Sequence, residues 1–220
     1  MNEQPRTFAI GDIHGCSQAL ATLIDAISLT PKDTIITLGD YINRGLDSKG
    51  VLDRLIELSQ QCHLIPLLGN HEEMLLGARE GRSDFEFFMQ CGGISTLDSY
   101  GDTGRLSLIP REHWQFIESC RPYHETDKHI FVHANYAPNL PLDQHDSQTL
   151  HWRSLDDDPP GPHYSGKTVF VGHTPQLDGW VLDMGHLICI DTGCGCGGWL
   201  TAIDVHRGKI WQSDEAGRLR

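Results

Sequence analysis

Five short apolar runs in this sequence each end in side chains able to hold a cation or move a proton. Asp12 and His14 follow Thr7-Phe8-Ala9-Ile10, Asp40 follows Thr34-Ile35-Ile36-Thr37-Leu38, and Asn70 and His71 follow the run from His63 to Leu68. His133 follows Ile130-Phe131-Val132, and His173 follows the run from Thr168 to Val171. Each alone has an ordinary alternative, since an Asp or Asn after a strand commonly forms a turn and a single His commonly makes a routine hydrogen bond. Taken together they are oxygen and imidazole groups with no thiolate, the donor set of a borderline-to-hard divalent metal. The donors exceed what one ion needs, so two ions are expected. Arg44, four residues past Asp40, adds a planar guanidinium that fits phosphoryl oxygens, with a surface ion pair as its ordinary alternative. Neutral water is a poor nucleophile, and two cations about 3.5–4 Å apart acidify a shared water and screen the anionic oxygens of a bound group.

The elements that must position these residues are legible as repeated units. The run ending at Ile10 leads through Gly11-Asp12-Ile13-His14-Gly15 to Ser17, a plausible helix cap, and Leu20, Leu23, Ile24 and Ile27 then recur at helical spacing. Pro31 and Lys32-Asp33 separate this helix from the second run, after which Asp47 or Ser48 can cap a helix buried through Val51, Leu52, Leu55 and Ile56. The third run ends in Gly69-Asn70-His71-Glu72 before a helical Met74-Leu75-Leu76 segment. Three β-loop-α units predict parallel strands with right-handed crossovers and three polar loops on one sheet edge, an α/β arrangement. Residues 83–122 carry Phe85, Phe87, Phe88, a turn at Gly92-Gly93, and a helix with Trp114, Ile117 and Cys120. This segment is expected to be a small helical cap, with its aromatic residues as local core. The runs ending at His133, His173 and Asp191, together with Leu200 to Val205 and the Ile210-Trp211 strand beyond Gly208, form an expected second sheet. The Pro- and Asp-rich connection from Asn135 to Pro162 is long enough to expect a role for it.

The bulk properties exclude several classes. At 220 residues, with 39% hydrophobic and 21% charged residues, the chain fits one domain, 1–220, with a substantial core. A net charge of −13 argues against a broad nucleic-acid or anionic-membrane surface, so phosphate has to be captured locally. Met1 to Arg6 is polar and shows no signal-peptide core, and no apolar stretch approaches membrane-spanning length. A cytoplasmic location is expected. Seven cysteines in no zinc-finger spacing read as reduced thiols, and Cys194-Gly195-Cys196 reads as a tight turn rather than a metal or redox pair.

Gly-Asp-Ile-His-Gly, Gly-Asp-Tyr-Ile-Asn-Arg-Gly and Gly-Asn-His-Glu, in that order, resemble the three signature motifs of the phosphoprotein phosphatase family of metallophosphoesterases. Val132-His133-Ala134, Gly172-His173-Thr174-Pro175 and Ile190-Asp191-Thr192-Gly193 resemble its bacterial and bacteriophage lambda-type serine/threonine phosphatases. Symmetric diadenosine tetraphosphate hydrolases share these features. The resemblance runs from about Phe8 to Val205. It implies a calcineurin-like β-sandwich flanked by helices, classed α/β or α+β, with two divalent metals. Asp12 and His14 would hold the first, Asn70, His133 and His173 the second, and Asp40 would bridge them. Manganese is expected to serve in assays, and iron or zinc also suit the donors. Pro175 stands where phosphodiesterases of the wider superfamily carry a further His, which favours the phosphomonoesterase-like branch. His71 would be the general acid, and Arg44 and Arg153 would bind phosphate.

The departure from the family pattern is Asn43. Protein phosphatases of the family carry Asp there, whose charge supports the protonated form of the catalytic imidazole. An Asn carbonyl can orient the ring but brings no charge, so His71 should hold its proton less strongly. The leading expectation is a metal-dependent phosphatase acting on phosphorylated proteins or small phosphoesters. Its nearest rival is a symmetric dinucleoside tetraphosphate hydrolase, because Asn43 tilts preference toward leaving groups that depart without an acid. A pseudophosphatase with Asn43 as its lesion ranks below both, since His71, Arg44 and every proposed metal ligand remain.

Overall fold

The computed structural model describes residues 4–102 and 104–220. Met1 to Glu3 of the polar N-terminal stretch, and Thr103 within the 83–122 segment, lie outside the described residues. The chain opens with three β-loop-α units: β1 (Thr7–Ile10), α1 (Ser17–Ile27), β2 (Thr34–Thr37), α2 (Ser48–Leu58), β3 (His63–Pro66) and α3 (Asn70–Gly77). β1, β2 and β3 are parallel, with Phe8 opposite Ile35 and Ile35 opposite Leu64. α1 buries Ala19, Leu20, Leu23 and Ile27, and α2 buries Val51, Leu52, Leu55 and Leu58. These two stripes cover one face of the sheet.

The caps divide as the local chemistry requires. Asp47 caps α2 by accepting from Gly50 N at 2.9 Å. Ser17 is instead the first helical residue of α1, Cys16 is the cap, and the Ser17 hydroxyl donates to Asp47 Oδ2 at 2.5 Å. The start of α1 is thereby tied to the start of α2.

Residues 82–118 are helical apart from short connections: α4 (Arg82–Phe88), a kinked π-turn over Met89–Gly93, α5 (Ile94–Ser99), a 3-10 turn at Leu106–Leu108 and α6 (Arg111–Glu118). Phe88 is fully buried and Phe85 packs on the same core, whereas Phe87 is 47% exposed. The second half contains β4 (Tyr123–Glu125), β5 (His129–Val132), β6 (Thr168–Val171), β7 (Leu182–Asp183), β8 (Leu187–Cys189), β9 (Trp199–Asp204) and β10 (Ile210–Asp214). The second sheet has the order β4-β5-β6-β8-β7, with β5, β6 and β8 parallel.

The expectation that the last hairpin belongs to this second sheet is corrected by the pairing. β9 lies antiparallel to β1, with Ala9 opposite Ile203, and the first sheet runs β10-β9-β1-β2-β3. The reason is burial on both faces: Leu200 and Ala202 face the helical core while Ile203 and Val205 join the layer between the sheets. Trp211 of β10 then packs edge-on to Phe8 at 5.8 Å.

The two sheets stack face to face through Ala9, Ile36, Leu38, Phe131, Phe170, Ile190 and Ile203, with Phe131 and Phe170 parallel at 5.2 Å. The result is an α/β sandwich flanked by helices. All seven cysteines are free, and Cys194-Gly195-Cys196 lies in a tight turn closed by Cys196 N on Gly193 O at 3.0 Å. Among the described residues, no helix is long and apolar enough to cross a membrane.

Candidate functional site

The loops after β1, β2 and β3 are bound to one another by backbone. Ile13 N and His14 N both donate to Asp40 O, at 3.0 and 2.8 Å, and Gly15 N donates to Tyr41 O. Glu72, fully buried at the start of α3, accepts four backbone N–H groups: Asp40 and Gly69 on one oxygen, Tyr41 and Ile42 on the other. A Cβ added at Gly69 would run into the Asp40 carboxylate and backbone. The loops close only with unusual backbone: His14, Asp40, Asn43, Arg44 and His173 all have positive φ, from 45° to 70°. Among the described residues only Ser28 shares this state without being a glycine. Each such residue costs about 1–3 kcal/mol, and such strain clusters where geometry serves function.

Three imidazoles are oriented by backbone carbonyls, which can only accept. His14 Nδ1 donates to Ile42 O at 3.0 Å, His133 Nδ1 to Leu38 O at 2.7 Å, and His173 Nε2 to Trp152 O at 3.0 Å. The opposite nitrogen of each ring therefore carries a lone pair. Those lone pairs converge. His133 Nε2 and His173 Nδ1 each lie 3.0 Å from Asn70 Oδ1, and His133 Nε2 lies 3.5 Å from Asp40 Oδ1. Four acceptors meet with a single donor among them, the His71 backbone N–H on Asp40 Oδ1 at 3.1 Å, and the rest call for a cation. On the other side, His14 Nε2 lies 3.5 Å from Asp40 Oδ2 and accepts from Arg44 Nη1 at 2.8 Å. Asp40 thus belongs to both groups of donor atoms, one with His14 and His71 and the other with His133 and His173. The group on the His133 side fits a divalent cation as it stands, and the His14–Asp40 pair would take a second once Arg44 Nη1 leaves His14 Nε2.

Electrostatics agree. Burial holds His14 down to about 3 and His133 down to about 4, against the Asp40 charge, so both rings are neutral as a ligand must be. Burial alone would raise Asp40, but the imidazoles of His133, His71, His14 and His173 outweigh it and hold the carboxyl well below its ordinary range. Asp12 stands outside both groups: its oxygens accept from His173 N at 3.0 and 3.2 Å. Burial first, then the charges of Asp191 and Asp40, push Asp12 upward, and burial pushes Asp191 to about 6. Asp191 Oδ2 is buried without a hydrogen-bond partner. This accumulation of buried carboxylate beside Asp40 is itself a demand for positive charge.

His71 differs from the other three imidazoles. Asn43 Nδ2 lies 2.7 Å from His71 Nδ1, with the Cys91 carbonyl 3.4 Å from the same nitrogen, while Asn43 Oδ1 accepts from the Thr96 hydroxyl at 2.7 Å. The amide end facing the ring is thus the N–H₂, not the carbonyl anticipated from the sequence. His71 Nδ1 accepts, its proton sits on Nε2, and Nε2 points toward Asp40 Oδ2 at 3.8 Å. Burial lowers the pKa of His71 from the ordinary histidine value.

The structure does not bring Arg153 into this set. Its side chain is 40% exposed and pairs with Asp158 at 3.2 Å. Four contributors carry no role in the sequence reading. Glu72 and Asp191 had a visible signal, each being a carboxylate at a loop already marked by its neighbours. Thr96, from α5, fixes Asn43, and Trp152 acts through its carbonyl, which its side-chain type does not announce.

A two-sheet sandwich whose strand ends gather neutral imidazoles, an amide oxygen and a shared carboxylate defines a cation-dependent hydrolytic centre. The chain belongs to the calcineurin-like phosphoesterase family, whose sequence model matches residues 5–197. A symmetrical bis(5'-nucleosyl)-tetraphosphatase of Nitrosomonas europaea is 31% identical over 142 residues, 63% of this chain and 47% of that protein. The match therefore spans about half of that relative's length. Serine/threonine-protein phosphatase 1 of Salmonella typhimurium is 29% identical over 208 residues, 90% of this chain and 91% of that protein. Two solved structures share the fold. One is a protein described as a candidate diadenosine tetraphosphatase (TM-score 0.70, 23% identity, 96% and 94% of the two chains). The other is a cold-active protein-tyrosine phosphatase of a psychrophilic Shewanella (TM-score 0.67, 17% identity, 99% and 80%).

Proposed function

We propose that this metallophosphoesterase hydrolyses phosphate bonds whose leaving group departs without a proton from the protein, with symmetric dinucleoside tetraphosphates as the substrate class. The observation that carries this is the Asn43 amide donating to His71 Nδ1. An imidazolium needs a proton on that nitrogen, and an N–H₂ group facing it opposes one. His71 then serves as a hydrogen-bond donor through Nε2, not as an acid. A serine or threonine alkoxide needs an acid, whereas a nucleoside diphosphate leaves as a stable anion. The tetraphosphatases among the relatives support the same ranking.

When cations are bound, His14 and Asp40, with Asp12 nearby, would hold one, and Asn70, His133 and His173 with Asp40 would hold the other. Bound divalent cations supply an acidified water and neutralise phosphoryl charge. Leu38, Ile42 and Trp152 carbonyls keep the three rings turned to the centre. Arg44, an exposed side chain at the rim, grips the non-bridging oxygens with its guanidinium.

Action on phosphoproteins is the second reading, favoured by the near full-length match to the Salmonella phosphatase. With manganese supplied, diadenosine tetraphosphate should yield ADP with a kcat/KM at least about tenfold above phosphate release from a phosphoserine peptide, a difference of about 1.4 kcal/mol in barrier. Equal or reversed values overturn the proposal. No hydrolysis of any ester alongside retained phosphopeptide binding would identify a pseudophosphatase.

A further inference from the structure

Beside the centre lies a cleft of about 320 Å³ lined by Glu73, Met74, Asp84, Phe87 and Trp152 among others. We infer that it is an aromatic subsite which takes the nucleobase of the substrate, between the rings of Phe87 and Trp152. The inference rests on the nucleotide reading above and adds to it where the base sits.

Trp152 is held from two sides. Its carbonyl accepts from His173 Nε2 at 3.0 Å, and its indole N–H donates to Glu73 Oε2 at 2.5 Å. Glu73 stands two residues beyond His71 on α3, about 3 Å of helix rise. The cleft adjoins the centre through Trp152, whose carbonyl shares a hydrogen bond with a proposed metal ligand. The Phe87 ring faces Trp152 at 6.3 Å between centroids, with the planes inclined by 28°. A flat ring between two others needs about 7 Å, twice the carbon contact distance of about 3.5 Å. Phe87 has to yield by at least about 0.7 Å, the centroid separation being the widest the gap between the planes can be, and it is 47% exposed at the end of α4, next to the kink over Met89–Gly93.

Charge sets the direction in which a nucleotide enters. Glu73 and Asp84 line the cleft, and no lysine or arginine is among its described lining residues, so a polyphosphate is repelled from it and the uncharged base is not. Arg44 and the cation sites take the opposite end. Base-on-aromatic stacking tolerates any base, since every base has a π-face.

The test uses binding, independent of turnover. With manganese present, the dissociation constants of ADP and inorganic pyrophosphate are measured by calorimetry on the unaltered protein, on Phe87→Ala and on Phe87→Tyr. ADP should bind at least about tenfold tighter than pyrophosphate, within the range base stacking provides. Phe87→Ala should remove most of that preference while pyrophosphate binding persists, and Phe87→Tyr should restore it. Equal binding of ADP and pyrophosphate by the unaltered protein overturns the subsite without any variant, and so does an equal weakening of both in Phe87→Ala. The two proposals fail separately. Diadenosine tetraphosphate hydrolysis with an unchanged ADP preference in Phe87→Ala removes the subsite alone, whereas a Phe87-dependent ADP preference without hydrolysis removes the substrate reading alone.

Discussion

Replacing Asn43 by Asp should turn His71 into an acid. The carboxylate would stand where the amide is now, 2.7 Å from Nδ1, and would accept a proton from the ring where the amide only donates. Charge centres about 4 Å apart at an effective dielectric near 20 attract by about 4 kcal/mol. The new carboxylate is buried and faces the Cys91 carbonyl at the position where Nδ2 now sits. Desolvation and that repulsion consume about half of the attraction, leaving about 2 kcal/mol, or roughly 1.5 pKa units in favour of imidazolium. The sign follows: raising the pKa of His71 enlarges its protonated fraction at neutral pH, and the benefit fades as pH climbs past the new value. General acid catalysis is worth about 10²–10⁴ when complete, so a partial gain of about tenfold on a phosphoserine peptide is expected. An aryl phosphate, whose leaving group needs no acid, should gain less than about threefold. Steady-state kcat/KM on both substrates across pH measures this directly. Equal gains on both, or no gain on either, would refute the assignment of Asn43 and His71.

Chelation should lower the thermal midpoint, and manganese at about 100 times its dissociation constant should restore about 2.7 kcal/mol; a rise that survives His133→Ala would exclude the proposed centre. Because burial keeps His14 and His133 neutral down to about 3 and about 4, that rise should persist at about pH 5.5, a unit below the ordinary histidine value. Asp33 is buried under Arg6 and held down to about 2, burial opposing and the Arg6 and Thr30 hydrogen bonds prevailing. A depressed carboxylate stabilises the fold above its unfolded value and loses that contribution as pH falls through about 2, so Asp33→Asn should cost about 1 kcal/mol at neutral pH after allowance for screening, and only a small part of that at pH of about 2. Denaturant unfolding at both pH values decides it. Glu72→Gln leaves one acceptor oxygen for four backbone N–H groups; a loss of about 2–4 kcal/mol, with activity, is expected, and an unchanged midpoint would deny Glu72 its role in holding Asp40.

The parts legible in the sequence are those written in local periodicity. β1, α1, β2, α2, β3 and α3 each stand where apolar spacing predicts, and their parallel order follows from the alternation. The partner of a strand is not local information. β9 and β10 carry the same alternation whether they close the second sheet or flank β1, and only burial on both faces of β9 decides between the two. β4 and β7, with three and two residues, are too short to leave a pattern.

At the site the same division holds with finer grain. Asp40, Asn70, His133 and His173 were legible as strand-end donors, because the type of a side chain and its place after a strand are both in the sequence. What a group does through its backbone, or which end of an amide faces a ring, is not. Trp152 orients His173 by a carbonyl that any residue would offer, and the choice between the two ends of Asn43 is made by Cys91 and Thr96, roughly fifty residues away in the chain. Local preference even points the wrong way here. His14, Asp40, Asn43, Arg44 and His173 occupy backbone that glycine favours, and a sequence optimised for stability alone would place glycine at several of them. Their side chains stand there against that preference, and a departure from local rules that the surrounding hydrogen bonds over-determine is what a functional position looks like when read from the fold.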